Sequence, residues 1–153
     1  MQQPDERIIE FINTRHVVSI AVEDAEYPWA FNCFYALDQD SMSLIFLTSE
    51  NTHHGTLFTH QHHVAGTIAT AAFEFSQIKG IQFVGNVRML SSNESDVAKG
   101  RYLERIPAAE PMIGATPLWK LDRESIKYTD NSIGFGSKIH WSRVPTSLKK
   151  EST

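Results

Sequence analysis

The chain has a single cysteine, Cys33, so no disulfide framework within the chain exists. Basic residues are in deficit, 14 Lys and Arg against 18 Asp and Glu for a formal net charge of −4. A nucleic-acid-binding chain would want a basic excess or a basic run, so no nucleic-acid partner is expected. No apolar run approaches the ~20 residues of a membrane helix, and no membrane partner is expected. The opening residues Met1 to Glu6 hold neither a basic stretch nor an apolar one, so no signal peptide is read there. Repeats, linkers and low-complexity runs are absent too. What is present is ordinary for a folded protein: 41% hydrophobic, 10% aromatic and 21% charged residues over 153 positions. A chain of this length buries roughly 70% of its unfolded surface and needs no staple. One cytoplasmic domain over 1–145 is expected, with a polar, mobile tail over 146–153.

The periodicity predicts many strands and few helices. Pro4 suits a first helical position. Asp5 and Glu6 suit the first turn, and Ile8, Phe11 and Ile12 form one apolar stripe. Residues 17–23 read as a strand. Residues 28–37 read as another, with Trp29, Phe31, Cys33, Tyr35 and Leu37 on one face. Both of its faces are mostly apolar, which predicts a strand buried on both sides. Residues 42–49 return as its partner, and a short helix follows near 52–61. Strands are expected over 63–71 and 78–90, the latter with Gly80 and Gly85 as sites of a bulge or close approach. Ser91 to Glu94 reads as a capping box opening a helix to about Ile106, ended by Pro107. Short strands over 118–121, 125–129 and 139–141 complete the list. Six or seven strands with three helices predict a mainly β fold, an antiparallel barrel with helical additions.

Four constellations bear on chemistry. His53, His54, His60, His62 and His63 crowd into eleven residues. Imidazole is a common metal ligand, but only His60 and His63 have a helical ligand spacing and no zinc motif is present. The alternative is a polar helix with its exit loop. The junction Leu47-Thr48-Ser49-Glu50-Asn51-Thr52-His53-His54-Gly55 ends a strand in hydroxyls and starts a helix. Such a helix start presents free N–H groups suited to a phosphate, or it is merely capped by Asn51 or Thr52. Gly134 to Lys138 is too short for a nucleotide fingerprint and reads as a turn. Cys33 alternates with Trp29 and Phe31, so it reads as a structural thiol.

Several of these stretches together resemble a known superfamily. They are Pro28 to Asp38 with its F-Y-x-x-D ending, Leu47-Thr48-Ser49, His63 to Ile68, Gly80 to Val87, and Ile126 to Gly136. The order is similar to that of pyridoxamine-phosphate-oxidase-like flavin proteins, the split β-barrel type, over nearly the whole of 7–141. The last stretch resembles a small, largely uncharacterised bacterial branch of it. The resemblance implies a homodimer with flavin mononucleotide (FMN) in clefts between subunits, acting as an oxidoreductase on an unknown small molecule. It implies that the phosphate lies where the L-T-S strand meets the helix, with Thr48 and Ser49 as hydroxyl contacts. His53 and His54 occupy positions that are basic in the family, and Ala30 or Phe31 stands where an arginine is usual. Fixed charges at a phosphate are worth roughly 1.5–3 kcal/mol each, so these departures weaken that contact. Asn32, Lys79 and Gln82 are the expected neighbours of the flavin ring, and Trp141 is expected near a partner's cofactor or in the core. No catalytic acid or base and no metal site is assigned. Two alternatives stand beside this: a binding or sensing protein that kept the scaffold without strong flavin binding, and a haem or metal protein using the histidine cluster.

Overall fold

A computed structural model describes residues 2–144; the expected tail over 146–153 lies outside the described residues. The first helix, α1 (Glu6–Thr14), starts two positions later than Pro4 implied, because Asp5 is its N-cap. The Asp5 carboxylate accepts from the Arg7 backbone N–H at 2.9 Å, which satisfies an end-of-helix donor. Ile8, Phe11 and Ile12 are buried as the stripe predicts.

Eight strands follow, not six or seven: β1 (Val17–Val22), β2 (Trp29–Phe34), β3 (Ala36–Asp38), β4 (Ser43–Leu47), β5 (His63–Ala69), β6 (Lys79–Met89), β7 (Leu118–Asp130) and β8 (Lys138–Ser142). They form one sheet in the order β2-β1-β5-β6-β7-β4-β3, with β8 on β7, and every pairing is antiparallel. Helices α2 (His53–Leu57) and α3 (Ser92–Arg105) and a 3-10 segment at Pro107–Met112 decorate it.

Two strand boundaries differ from the sequence reading, each for a local reason. The strand expected over 28–37 breaks at Tyr35. Its N–H donates to His16 O at 3.2 Å and its hydroxyl to Ile12 O at 2.6 Å, pulling the chain onto α1. Nor is β2 buried on both sides. Phe31 and Cys33 pack on the core, but Ala30, Asn32 and Phe34 are exposed, since β2 ends the sheet. The two strands expected over 118–121 and 125–129 are one. Pairings Val84↔Ser125 and Gly85↔Arg123 skip Glu124, a bulge opposite Gly85. A Cβ on Gly85 would lie 2.5 Å from Asp122 O, which is the close approach that the glycine signalled.

The core is continuous from α1 through both sheet halves. Arg123 is buried within it. Its Nε donates to the carbonyl of Met42 at 3.1 Å, a residue held at φ 53°. Nη1 and Nη2 make no hydrogen bond, and burial pushes the guanidinium down to about 9. At the start of α3, Glu94 accepts from the Ser91 N–H at 3.3 Å. It also pairs with Arg88 at 2.7 Å, which holds its carboxyl down at about 2.

Candidate functional site

The residues singled out from the sequence fall into three places. Thr48, Ser49, His53 and His54 gather at one corner, where β4 turns into α2. Thr48 is fixed by its backbone: its N–H donates to Pro117 O at 3.2 Å, and the Trp119 indole donates to its carbonyl at 3.0 Å. Its hydroxyl lies 2.6 Å from His54 Nε2. The Thr52 hydroxyl accepts from Gly55 N–H at 3.0 Å and donates to Ser49 O at 2.8 Å. Ser49 Oγ accepts from the Asn51 N–H at 3.1 Å. Gly55 is required here, since a Cβ would sit 2.2 Å from Ser49 O.

Aromatic contacts complete the corner. The His54 ring stacks on Phe31 with centroids 3.6 Å apart and 7° between planes. His53 meets Trp29 edge-on at 4.6 Å and pairs with Asp24 at 2.8 Å. Burial, with His53 adding to it, lowers the His54 pKa, so this ring is neutral at pH 7. The hydrogen bond from His53 lowers the Asp24 carboxyl. An anion would need free donors and positive charge. The corner spends its hydroxyls on its own backbone and rings, and α2 spans only five residues. The residues present therefore do not fit a phosphate clamp.

The remaining histidines do not converge on this corner. His60, His62 and His63 are exposed. Among the described residues no group of three or more His, Cys, Asp or Glu is gathered to hold a metal ion. Asp24, His53's partner, lies between β1 and β2 and was not among the sequence candidates.

Asn32 and Gln82 lie on the other side of the sheet from His54. Strand alternation turns Asn32 away from Phe31 and the core. Register then joins a row of polar residues across six strands: Asn32↔Ser19, Ser19↔Thr67, Thr67↔Gln82, Gln82↔Lys127 and Lys127↔His140. Ser19 Oγ donates to Asn32 Oδ1. The next row along is small: Ala30, Ala21, Ala65, Val84, Ser125 and Ser142. These rows border a groove of about 620 Å³ with Gly66, Phe83 and Trp141 along its lining. Gly66 stands level with Ile20 and Phe83 on the core-facing side of these strands, where a Cβ would lie 2.3 Å from the Phe83 ring. Val84 is exposed in the small row, and Val17 and Phe34 are exposed at the β1–β2 end of the same face. Lys127 and His140 were missed in the sequence, although alternation against buried Ile126 and Tyr128 would have turned both outward.

The last two candidates lie apart. Lys79 opens β6 opposite Asp130, whereas Asn86 near the other end of that strand pairs with His63, just after α2. Trp141 is a core residue at 1% exposure, its indole N–H donating to Gln2 O at 2.8 Å. Cys33 is half-buried, and burial pushes its thiol up to about 12, in keeping with a structural thiol.

An eight-stranded antiparallel half-barrel with three short helical additions is the fold of split-barrel proteins, and solved structures agree. A heme binding protein from Mycobacterium smegmatis superposes with a TM-score of 0.78 at 18% identity, over 93% of this chain. The chain spans 60% of that protein's length. A FAD-binding protein from Mesorhizobium loti superposes with a TM-score of 0.66 at 9% identity, over 81% of this chain and 92% of the other. At these identities the likeness is one of fold. No protein-family model matches the chain. A UPF0306 protein from Yersinia pseudotuberculosis is 37% identical over 146 residues, 94% of this chain and 98% of its own. The chain belongs to the UPF0306 family. No helix among the described residues is long and apolar enough to cross a membrane.

Proposed function

We propose that the protein is a homodimeric, flavin-binding split barrel of oxidoreductase type, acting on a small molecule with FMN as its cofactor. The flavin is held by its ring system, and its phosphate contributes little. One observation carries this reading: the polar row from Ser19 through Thr67, Gln82 and Lys127 to His140 crosses a groove of about 620 Å³ on the outer sheet face. A flavin ring has one apolar edge and one edge of carbonyls and ring nitrogens. The small-residue row suits the first. The Gln82 amide, the Lys127 ammonium and the Ser19 and Thr67 hydroxyls, all on one face, suit the second. Exposed Val84, set in the small-residue row, marks the surface on which a second copy would close the site, as exposed apolar patches do. A bound flavin supplies hydride or electron transfer, while the chain supplies position, water exclusion and field. Trp141 supports the groove from beneath, while His54, on the other side of the sheet, takes no part in it. Lys79, at the other end of β6, would contribute only across a subunit boundary. The FAD-binding and heme binding proteins that share this fold support a planar cofactor on this scaffold.

The test is the visible flavin absorbance of freshly purified protein, followed by titration of the stripped protein with FMN and sedimentation. Saturable flavin binding by a dimer is expected. Absence of binding at high micromolar FMN would reject the reading.

The closed corner at Thr48 and His54 also favours a second reading, a binding or sensing protein without turnover. The two part on one measurement. Flavin-saturated protein that speeds electron transfer from a nicotinamide donor to an acceptor is the enzyme, and saturable binding without it is the sensor.

A further inference from the structure

A second cavity owes nothing to the groove. It encloses about 410 Å³ between β2, α3 and the Pro107–Met112 segment, and shares no lining residue with that groove, although Val17, Asn32 and Phe34 at the end of the outer face line it. That volume lies within the ~300–1,000 Å³ usual for small-molecule sites. β2 is the edge of the sheet on this side, so its open flank forms one wall. Val17, Phe34, Leu47, Ile106 and Met112 make the apolar surface. No Asp, Glu, Lys, Arg or His lines the cleft. A charged occupant would lose its hydration without compensation there.

One polar group in the cleft is unspent. Tyr102 is 3% exposed, and a buried tyrosine hydroxyl ordinarily finds a partner. This one bonds to no described residue, yet its oxygen is not among the atoms sealed from solvent. The cleft is the cavity that Tyr102 lines. Nearby, Asn32 has its carbonyl oxygen engaged by Ser19, which leaves its amide donors at the cleft. Met112 and Phe34 stand exposed, and thioether and ring surfaces favour an aromatic guest.

We propose that this cleft binds a small, uncharged aromatic molecule bearing one hydrogen-bonding oxygen, of the phenol or quinone type, with that oxygen paired to the Tyr102 hydroxyl. The site stands whether or not a flavin occupies the outer face. The test titrates the full chain with 2-naphthol and with naphthalene, which has the same rings and no oxygen. It compares wild type, Tyr102→Phe and Ala108→Trp, the last an exposed lining position. Saturable 2-naphthol binding at one site per chain is expected. Tyr102→Phe weakens it about tenfold, the worth of one hydrogen bond, and leaves naphthalene unchanged. Ala108→Trp fills the cleft and removes both, with FMN titration unaltered. Absence of saturable 2-naphthol binding, equal affinity in Tyr102→Phe, or binding that survives Ala108→Trp would overturn the assignment.

Discussion

The β4–α2 corner and the outer sheet face are built from similar side chains, hydroxyls, amides and imidazoles, yet they are in opposite states. At the corner every one of these groups is engaged: Thr48 with His54, Thr52 with Gly55 and Ser49, and His53 with Asp24. On the sheet face Gln82, Lys127 and His140 stand in register across three strands and carry no side-chain bond of that kind. A cluster of polar residues in a sequence therefore marks either a ligand site or a piece of self-sufficient architecture. Which one it marks is decided by where the hydrogen bonds end. The difference assigns structure to the corner and recognition to the face.

The sharpest way to break the contrast is to crowd the corner. Gly55→Ala forces a Cβ to 2.2 Å from Ser49 O, and a destabilisation of about 3 kcal/mol is expected in urea unfolding. Gly100→Ala meets nothing within 4 Å in α3 and is expected to stabilise by up to about 1 kcal/mol. If both behaved alike, the corner would not be the tightly built element described. On the face, Val84→Arg sets a charge among the exposed apolar and small residues. Sedimentation is expected to shift from dimer to monomer while the unfolding midpoint of the single chain stays close to wild type.

His54→Lys sets a fixed charge at the corner, on the other side of the sheet from the groove, so FMN and riboflavin affinities are both expected to stay within about threefold of wild type. A rise for both ligands would mean that the corner touches the ring instead. The smallest effect on stability is in pH. His54 has its folded pKa lowered, chiefly by burial, below the ordinary histidine value of about 6.5. Between those values the unfolded chain binds more protons. This contribution to stability is therefore complete above the ordinary value and is lost as pH falls through the folded one. His54→Gln is expected to flatten that slope in unfolding scans between neutral and mildly acidic pH.

Much of this was legible in the sequence, and the misses share a cause. The alternation in β6, the Gly85 close approach, the Ile8–Phe11–Ile12 stripe and the Glu94 cap all follow from local rules, and local rules place them. Arg123 did not, because a charged residue between two apolar runs reads as loop. In the sheet it sits at a bulge and reaches Met42, a contact 81 residues away in the chain. The exposed side of β2 was misjudged since sequence does not say which strand ends the sheet. Thr48, Ser49, His53 and His54 were correctly grouped by proximity along the chain. Their mutual satisfaction depends on Phe31, Asp24 and Trp119, which folding brings in from other strands and turns. The Tyr102 cleft escaped for the same reason, since an inward-facing tyrosine looks like core until the edge of β2 is placed beside it.

The most direct test of ring-held flavin binding compares FMN with riboflavin on the same stripped protein. Saturable binding of both, with dissociation constants within about threefold of each other because a phosphate without charged partners adds little, is the predicted result. FMN binding a hundredfold or more tighter, on the order of 2.7 kcal/mol, would show that the corner grips the phosphate after all and contradict the account.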